Sequence, residues 1–568
     1  MPYIKTFDRN QMMFCSWDSF VDEQSIARII DAFVNSLNLA DFGVKDAAKE
    51  GRPAYDPRGL YKLYIYGNRK GIRSSRKLAE SCAVNIEVKW MLGGVEPDFR
   101  TISDFRKDNI TSLKKIFHEF NRRISGAIEW GFTSVDGSKF LACNSKDNNF
   151  TKNKLDDRIK WLNAHTDEYL RILNDMDERE DLEEETDKLT RESIEAKLKE
   201  ARERLERYEG YQKLMEETGV SQLSLTDADS KLMKNKNGFA VAYNPQTAVD
   251  SNTHLIHDFN MTNRVTDHGL LVPTLENIKN ENPDEIVEVV ADKGYEDTED
   301  MIACLEKGIV PHVIQDDGKD GFELEIDYQE ADVDICSTKP EDLSKALHAG
   351  IIPEAYKDVI ETIEVKEVRR LVKDEQEESE IKSIYGTEEE MMVRAKEGYF
   401  VRDPERNLVY CPGGEILRQK SIKPNGNIRY ANKNACRHCK NRDKCYKGKN
   451  EWKEIDFTKD KLEKPCKDWL KSEGKAILTE TKKKTGHYEI KKVVKFFFKP
   501  DREKMSRRMC LSEHPFGTIK RAMGSTHFLL KGLEKVEGEF ALFCLGYNLE
   551  RAKNLLGFNK IMELMAGA

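Results

Sequence analysis

Trp130-Gly131-Phe132-Thr133-Ser134-Val135-Asp136-Gly137-Ser138-Lys139-Phe140-Leu141-Ala142-Cys143 reads as a β-strand with one carboxylate at its centre. Phe132, Ser134, Asp136 and Ser138 alternate with Thr133, Val135 and Gly137, the two-residue period of a strand. Further along, 239–249 and 254–261 flank Asp250-Ser251-Asn252-Thr253, which is hairpin-turn chemistry. A helix is expected around 270–278, an apolar strand over 286–291 that ends at Asp292, a helix over 300–307 and another strand over 309–314. Strand, hairpin, helix, strand, helix, strand is a mixed α/β order.

Between the first strand and the hairpin lies a different pattern. Leu155, Ile159, Leu162, Thr166, Tyr169, Leu173 and Met176 repeat by four and three, and Ile194, Leu198, Ala201, Leu205, Tyr208 and Met215 do much the same. These are heptad seams on two helices. An antiparallel helical hairpin turning through the acidic stretch between them is one reading, and a dimerising coiled coil is the other. With the hairpin set aside as an insertion after the first strand, the element order is that of an RNase H-like mixed sheet.

Residues 1–128 read as all-α. Ile26, Ile29, Ile30 and Phe33 share one helix face, Gly51, Pro53 and Pro57 mark a loop, and a helix over 56–66 ends at Gly67 and Gly71. A further helix is capped at Ser74 or Ser75, with Leu78 and Cys82 inward, and another begins near Thr101 and runs past Phe117. Short helices carrying Arg69, Arg73, Arg76 and Arg106 fit a helix-turn-helix-like DNA reader, or a helical packing module. The expected organisation is therefore 1–128 helical DNA-binding domain, 129–151 first core strand, 152–218 hairpin insertion, 219–320 core continued, 321–480 polar insertion with a cysteine cluster, and 481–568 a C-terminal helical part of the core. Within that last part 541–556 reads as an amphipathic helix.

The chain has 568 residues, 39% hydrophobic and 34% charged, which suits several modest cores and long solvated helices. It has no run of about 18 apolar residues, which excludes a membrane span, and residues 1–10 lack a signal-peptide stretch, so a cytoplasmic, nucleoid-associated location is expected. A net charge of −9 argues against a nucleic-acid binder on average, but the charge is segregated. Acidic clusters lie at 177–185 and 374–380, and basic clusters at 418–449 and 482–508.

Asp136 within one strand and Asp292 at the end of another are poorly placed for helix caps or interior ion pairs. Two carboxylates on neighbouring strands repel unless a cation lies between them, and oxygen-only ligands suit Mg2+ or Mn2+. Glu513 opens the block Glu513-His514-Pro515-Phe516-Gly517-Thr518-Ile519-Lys520, with Lys520 about two helical turns later on the same face. A glutamate of this kind either completes a metal site or simply favours a helix N-terminus.

Asp136-Gly137-Ser138-Lys139, Ala291-Asp292-Lys293-Gly294-Tyr295 and Glu513-x6-Lys520 together resemble the bacterial insertion-sequence DDE transposases. Gly51-Arg52-Pro53, Tyr64-x-Tyr66-Gly67, Gly71-Ile72-Arg73-Ser74-Ser75-Arg76 and Thr101-Ile102-Ser103-Asp104-Phe105-Arg106 resemble that family's N-terminal DNA-binding domain. Thr226-Asp227-Ala228-Asp229-Ser230 matches the phrase before its hairpin. The resemblance covers nearly the whole chain in the family's order. It implies a metal-binding triad of Asp136, Asp292 and Glu513 with Lys520 beside it, and Mg2+ or Mn2+ as the cofactor. It also implies DNA contacts at Arg73 and Arg76, terminal-repeat and target DNA as partners, and a homodimer in the active complex. A related branch has Tyr-x2-Arg-x3-Glu-x6-Lys, where this chain has Ser506 and Met509, and Arg507 and Arg508 stand nearby for the phosphate contact.

The twelve cysteines, without a secretion signal, read as thiols or metal ligands rather than disulfides. Cys411, Cys436, Cys439 and Cys445 form a C-x24-C-x2-C-x5-C array that suits structural zinc, with His438 able to replace one thiolate. Unligated thiols are the alternative.

Overall fold

Strand β1 (Thr133–Gly137) buries Thr133, Ser134 and Val135 and is part-buried at Asp136 and Gly137. In this computed structural model the described residues are 14–44, 53–177, 185–235, 238–314, 320–372, 387–423, 427–446, 452–458, 461–473 and 487–566. The turn of the acidic hairpin and the acidic cluster at 374–380 lie outside them, as do 424–426, 447–449 and 482–486 of the basic clusters. The strand expected over 130–143 is broken in two. After β1 the chain turns at Ser138 and Lys139, where the Ser138 amide donates to the Pro245 carbonyl at 3.1 Å. Strand β2 (Phe140–Leu141) then leaves for another sheet.

Six helices precede β1: α1 (Ile26–Asn35), α2 (Pro57–Arg69), α3 (Ser75–Val84), α4 (Ile86–Met91), α5 (Phe99–Asn109) and α6 (Ser112–Ser125). Helix α2 runs past the expected stop at Gly67, and the long helix expected from Thr101 is two helices. After β2 come β3 (Asn149–Thr151), α7 (Lys152–Asp177), α8 (Glu185–Thr218) and β4 (Gln222–Ser224). Helices α7 and α8 pack on each other within the chain, with Leu155, Leu162, Leu198, Ala201 and Met215 buried.

Strands β5 (Lys231–Asn235) and β6 (Gly238–Tyr243) join β2 in a three-stranded sheet, so the strand expected over 239–249 also divides. Its second half is β7 (Gln246–Asp250), which pairs antiparallel with β8 (Ile256–Asn260). Then follow α9 (Leu271–Glu281), β9 (Val287–Ala291), α10 (Thr298–Glu306) and β10 (Ile309–Val313), close to the expected elements. The central sheet has the order β10-β9-β1-β7-β8. Strands β10, β9 and β1 run parallel, and β7 and β8 are antiparallel additions.

The chain forms two compact units, Met1–Lys366 with Lys492–Ala568, and Glu367–Lys491. The first unit also holds β11 (Phe322–Asp327) and α11 (Pro340–His348), and Leu324 and Leu343 belong to its core. The compact cysteine-bearing unit is therefore narrower than 321–480. Strand β12 (Ile360–Val372) leads into it. It contains α12 (Glu388–Lys396), β13 (Tyr399–Asp403), β14 (Leu408–Tyr410), β15 (Ile416–Ile422), β16 (Ile428–Ala431), α13 (Lys433–Arg437), α14 (Arg442–Cys445), β17 (Glu454–Phe457), β18 (Glu463–Pro465) and α15 (Lys467–Ser472). A six-stranded sheet buries Phe400, Val409, Leu417, Tyr430, Phe457 and Trp469, so this unit has an apolar core that its polar sequence conceals.

Strand β19 (His487–Phe498) leads out to α16 (Arg502–Gly517), α17 (Leu533–Leu556) and α18 (Phe558–Ala566). Helix α17 was expected to be amphipathic, yet it is buried almost all round, from Val536 to Ala552. The N-terminal helices, β6, β8, α17 and α18 share one core, and no side chain fits at Gly538 because the Ile110 carbonyl occupies that space. The described residues of 1–128 thus fold as part of the first unit.

That core holds Asp258, 1% exposed, which accepts from the Phe259 amide at 2.7 Å and Asn277 at 3.0 Å. Burial pushes its carboxyl up to about 7 and holds His118, with Nε2 3.6 Å away, down to about 4. Between about pH 4 and pH 7 the pair is therefore a protonated acid beside a neutral imidazole rather than an ion pair. A carboxyl raised in the folded state stabilises fully below its ordinary value near 4 and loses that contribution as pH rises through 7. Asp258→Asn should therefore match wild type near pH 4 and exceed it by a few kcal/mol above pH 7, because each tenfold weakening of acidity is worth about 1.4 kcal/mol. Melting curves at pH 5 and 8 that show the same difference between the two proteins would refute this.

Candidate active site

The parallel register pairs Thr133 with Val289 and Ser134 with Val290. Continued along both strands, it sets Asp136 across from Asp292, just past the end of β9. Asp136 Oδ1 accepts from the Gly137 amide at 2.8 Å. Asp292 caps a short 3-10 turn, Lys293–Tyr295, by accepting from the Gly294 amide at 2.8 Å. Both side chains are thus held by their own turns at one end of the sheet.

Helix α16 crosses β1, β7, β9 and β10 and brings Arg508 and Ser512 to this place. The Arg508 guanidinium is 4.0 Å from Asp136 Oδ2 and 15% exposed. Burial pushes the Asp136 carboxyl up to about 6; the Ser512 hydroxyl opposes this, Asp292 adds to it, and Arg508 opposes it. The site carries more negative charge than one guanidinium offsets, and a divalent cation between the two aspartates would relieve it. The two aspartates are the oxygen ligands that the described residues bring together here for such a cation.

Glu513 follows Ser512 on α16 and is exposed. Among the described residues no three His, Cys, Asp or Glu side chains converge closely enough to hold a metal ion, so Glu513 does not close a cage with the aspartates in this conformation. Lys520 lies in a π-helical turn, Thr518–Ala522, that interrupts the α-helical phase counted from Glu513. It donates to Ser138 Oγ at 2.6 Å and the Lys139 carbonyl at 3.0 Å, and lies 4.3 Å from the centre of the Phe140 ring. It therefore braces the turn that follows Asp136.

The four arginines expected at DNA divide. Arg76 is exposed over the Phe99 ring, and Arg507 is exposed, donating to the Ser251 carbonyl at 3.2 Å. Arg508 belongs to the carboxylate site. The Arg73 side chain is 9% exposed and pairs with Glu539 at 2.8 Å, so its guanidinium is committed inside the fold. Asp227 and Asp229 accept from the Gly532 and Leu533 amides at 3.0 and 2.8 Å, which caps α17. The phrase that contains them supports that helix.

In the second unit, Cys411, Cys436, Cys439 and Cys445 line one cavity with Phe400, Trp452 and Trp469, although no three of these thiols converge closely enough to hold a metal ion in this conformation. Cys439 and Cys411 Sγ lie 3.3 and 3.7 Å from where a side chain at Gly413 would begin. His438 is exposed and does not line the cavity. Cys466, which no local spacing marks, is 1% exposed, with Sγ 3.8 Å from that of Cys445. Its position 21 residues beyond the cluster hid it, and only the pairing of β13 with β18 brings it back.

Comparison with known families decides the kinship: the Transposase DDE domain matches residues 220–549, more than half of the chain. The chain belongs to the DDE transposases. A second family, described as Transposase domain (DUF772), matches residues 15–108 of the transposase. No curated protein and no solved structure matches it. Asp292, Glu513 and Lys520 fall inside the DDE match, whereas Asp136 precedes it, on the strand that pairs with β9. The transposase acts on DNA, and among its described residues no helix is long and apolar enough to cross a membrane.

Proposed function

We propose that the transposase binds the terminal repeats of its element, cleaves DNA there and joins the 3′-hydroxyl ends to target DNA. The observation that carries this reading is the Asp136–Asp292 pair at adjacent strand ends, with α16 and its Arg508, Ser512 and Glu513 laid across it. Asp136 and Asp292 would hold Mg2+ or Mn2+, and Glu513, exposed on α16 next to Ser512, would complete the set of ligands by turning towards them. When bound, the metal activates a water or hydroxyl nucleophile and stabilises the leaving oxygen. Arg508 offsets the carboxylate charge, and Lys520 holds the Ser138–Lys139 turn in place. Exposed Arg76 and Arg507 contact phosphates, and two copies assemble on paired ends.

The test is a strand-transfer assay with pre-cleaved end oligonucleotides, a supercoiled target and Mg2+. Joined products are expected. Cleavage without joining would identify an RNase H-like nuclease, and DNA binding without either reaction a non-catalytic relative.

We also propose one structural zinc in the second unit. The shared cavity of Cys411, Cys436, Cys439 and Cys445 supports it, as does the Cys445–Cys466 separation of 3.8 Å, the edge of a tetrahedron with zinc–sulfur bonds of about 2.3 Å. Purified protein should contain one equivalent of zinc, which Cys439→Ser should remove. Because this unit has its own apolar core, zinc loss should cost well below the ~10 kcal/mol typical of zinc-finger peptides. Separate Cys445→Ser and Cys466→Ser variants identify the fourth ligand by which one loses metal. Elemental analysis without zinc rejects the site.

A further inference from the structure

We infer that Asp267, in the connection between β8 and α9, is a positioning residue of the Asp136–Asp292 site, whose carboxylate sets the affinity of that site for a divalent cation. This rests on the reading that Asp136 and Asp292 hold the metal. Asp267 Oδ1 accepts from Asn244 at 2.7 Å, Gln246 at 3.0 Å and the Lys139 ammonium at 3.4 Å. Lys139 belongs to the turn after Asp136. Gln246 pairs across the sheet with Gly137, and its amide, with that of Asn244, fills the space where a side chain at 137 would begin.

Gln246 also accepts from the hydroxyl of Tyr295, which is fully buried and ends the turn capped by Asp292. One chain of contacts thus runs from the Asp136 turn through Lys139, Asp267 and Gln246 to the Asp292 turn. The other oxygen of Asp267 borders the same space as Asp292. Asp267 Oδ2 and Asp292 Oδ1 lie 3.6 and 2.9 Å from the same point, the place of a side chain at Gly294. A third carboxylate therefore borders the turn that Asp292 caps, with one oxygen taken up by donors and the other beside the Gly294 backbone. Its charge would add to the attraction of the site for a cation, and its hydrogen bonds would hold the two turns that carry Asp136 and Asp292.

Asp267→Asn separates charge from scaffolding, because its amide oxygen can still accept from Lys139, Asn244 and Gln246. Mn2+ binding to the full-length protein, followed by electron paramagnetic resonance, should weaken about 10-fold or more in this variant, within the range seen for residues that support metal ligands. Its melting temperature should stay near wild type, and Asp267→Glu should recover most of the affinity. The Mn2+ concentration for half-maximal cleavage should move in parallel. An Asp267→Asn protein that binds Mn2+ as wild type does overturns the inference. Asp136→Asn is run alongside: unchanged Mn2+ binding in that variant would show that the aspartate pair is not the metal site, and the underlying reading would fail instead.

Discussion

Asp136→Asn, Asp292→Asn and Glu513→Gln are each expected to abolish DNA cleavage while binding to terminal DNA survives. An amide binds a divalent cation far more weakly than a carboxylate, yet keeps the size and most hydrogen bonds of the residue it replaces. Asp136→Asn retains an acceptor for the Gly137 amide, and Asp292→Asn one for Gly294, so both turns should hold. Removing a charge from Asp136, whose ionisation burial and Asp292 both oppose, should leave the metal-free protein as stable as wild type or more so. Glu513 is exposed, so its substitution should not change stability. Losses on the order of 10³-fold or more are expected, since the chemistry has no substitute for the metal site. Cleavage at near wild-type rate by any one variant would remove that residue from the site. Glu513→Gln is the most informative, because its side chain must come to the aspartates for the triad to form.

Glu539→Ala should destabilise the first unit by about 3–5 kcal/mol, the cost of leaving a buried charge without its partner. Glu539 is 3% exposed. It accepts from Arg73 at 2.8 Å, the Leu529 amide at 2.9 Å and the Leu530 amide at 3.1 Å, and the substitution strands all three donors. The Arg73 guanidinium also donates to the His527 carbonyl and lies 5.0 Å from the centre of the Phe543 ring, so it cannot swing out to water without dismantling its surroundings. The same geometry separates two arginines three residues apart. Arg73→Ala should lower the melting temperature while the salt dependence of terminal-DNA binding by intact protein stays unchanged. Arg76→Ala should leave the melting temperature alone and reduce the salt slope by about one, the loss of one phosphate contact. A normal melting temperature for Glu539→Ala would refute the account of the buried pair.

Local pattern was enough for much of this protein. The apolar runs before Asp292 and over 309–314 became β9 and β10, and the heptad seams became α7 and α8, because a repeat of two or of three and four is set by neighbours along the chain. The same local information marked Asp136 and Asp292, since a lone carboxylate in or after an apolar strand has few structural uses. What it could not supply was the partner of each side chain. Arg73 and Arg76 look alike in sequence, and only the packing of α17 against the N-terminal helices buries one with Glu539 and leaves the other in solvent. The polar region around the cysteines conceals a core, because its six strands each contribute few apolar residues and become a core only when stacked side by side. Asp267 and Cys466 are anonymous in the chain, for their neighbours come from segments brought together by strand pairing. Tertiary structure alone decided these points, because burial and charge pairing depend on contacts between residues far apart in sequence, whereas strand and helix periods depend on contacts between near ones.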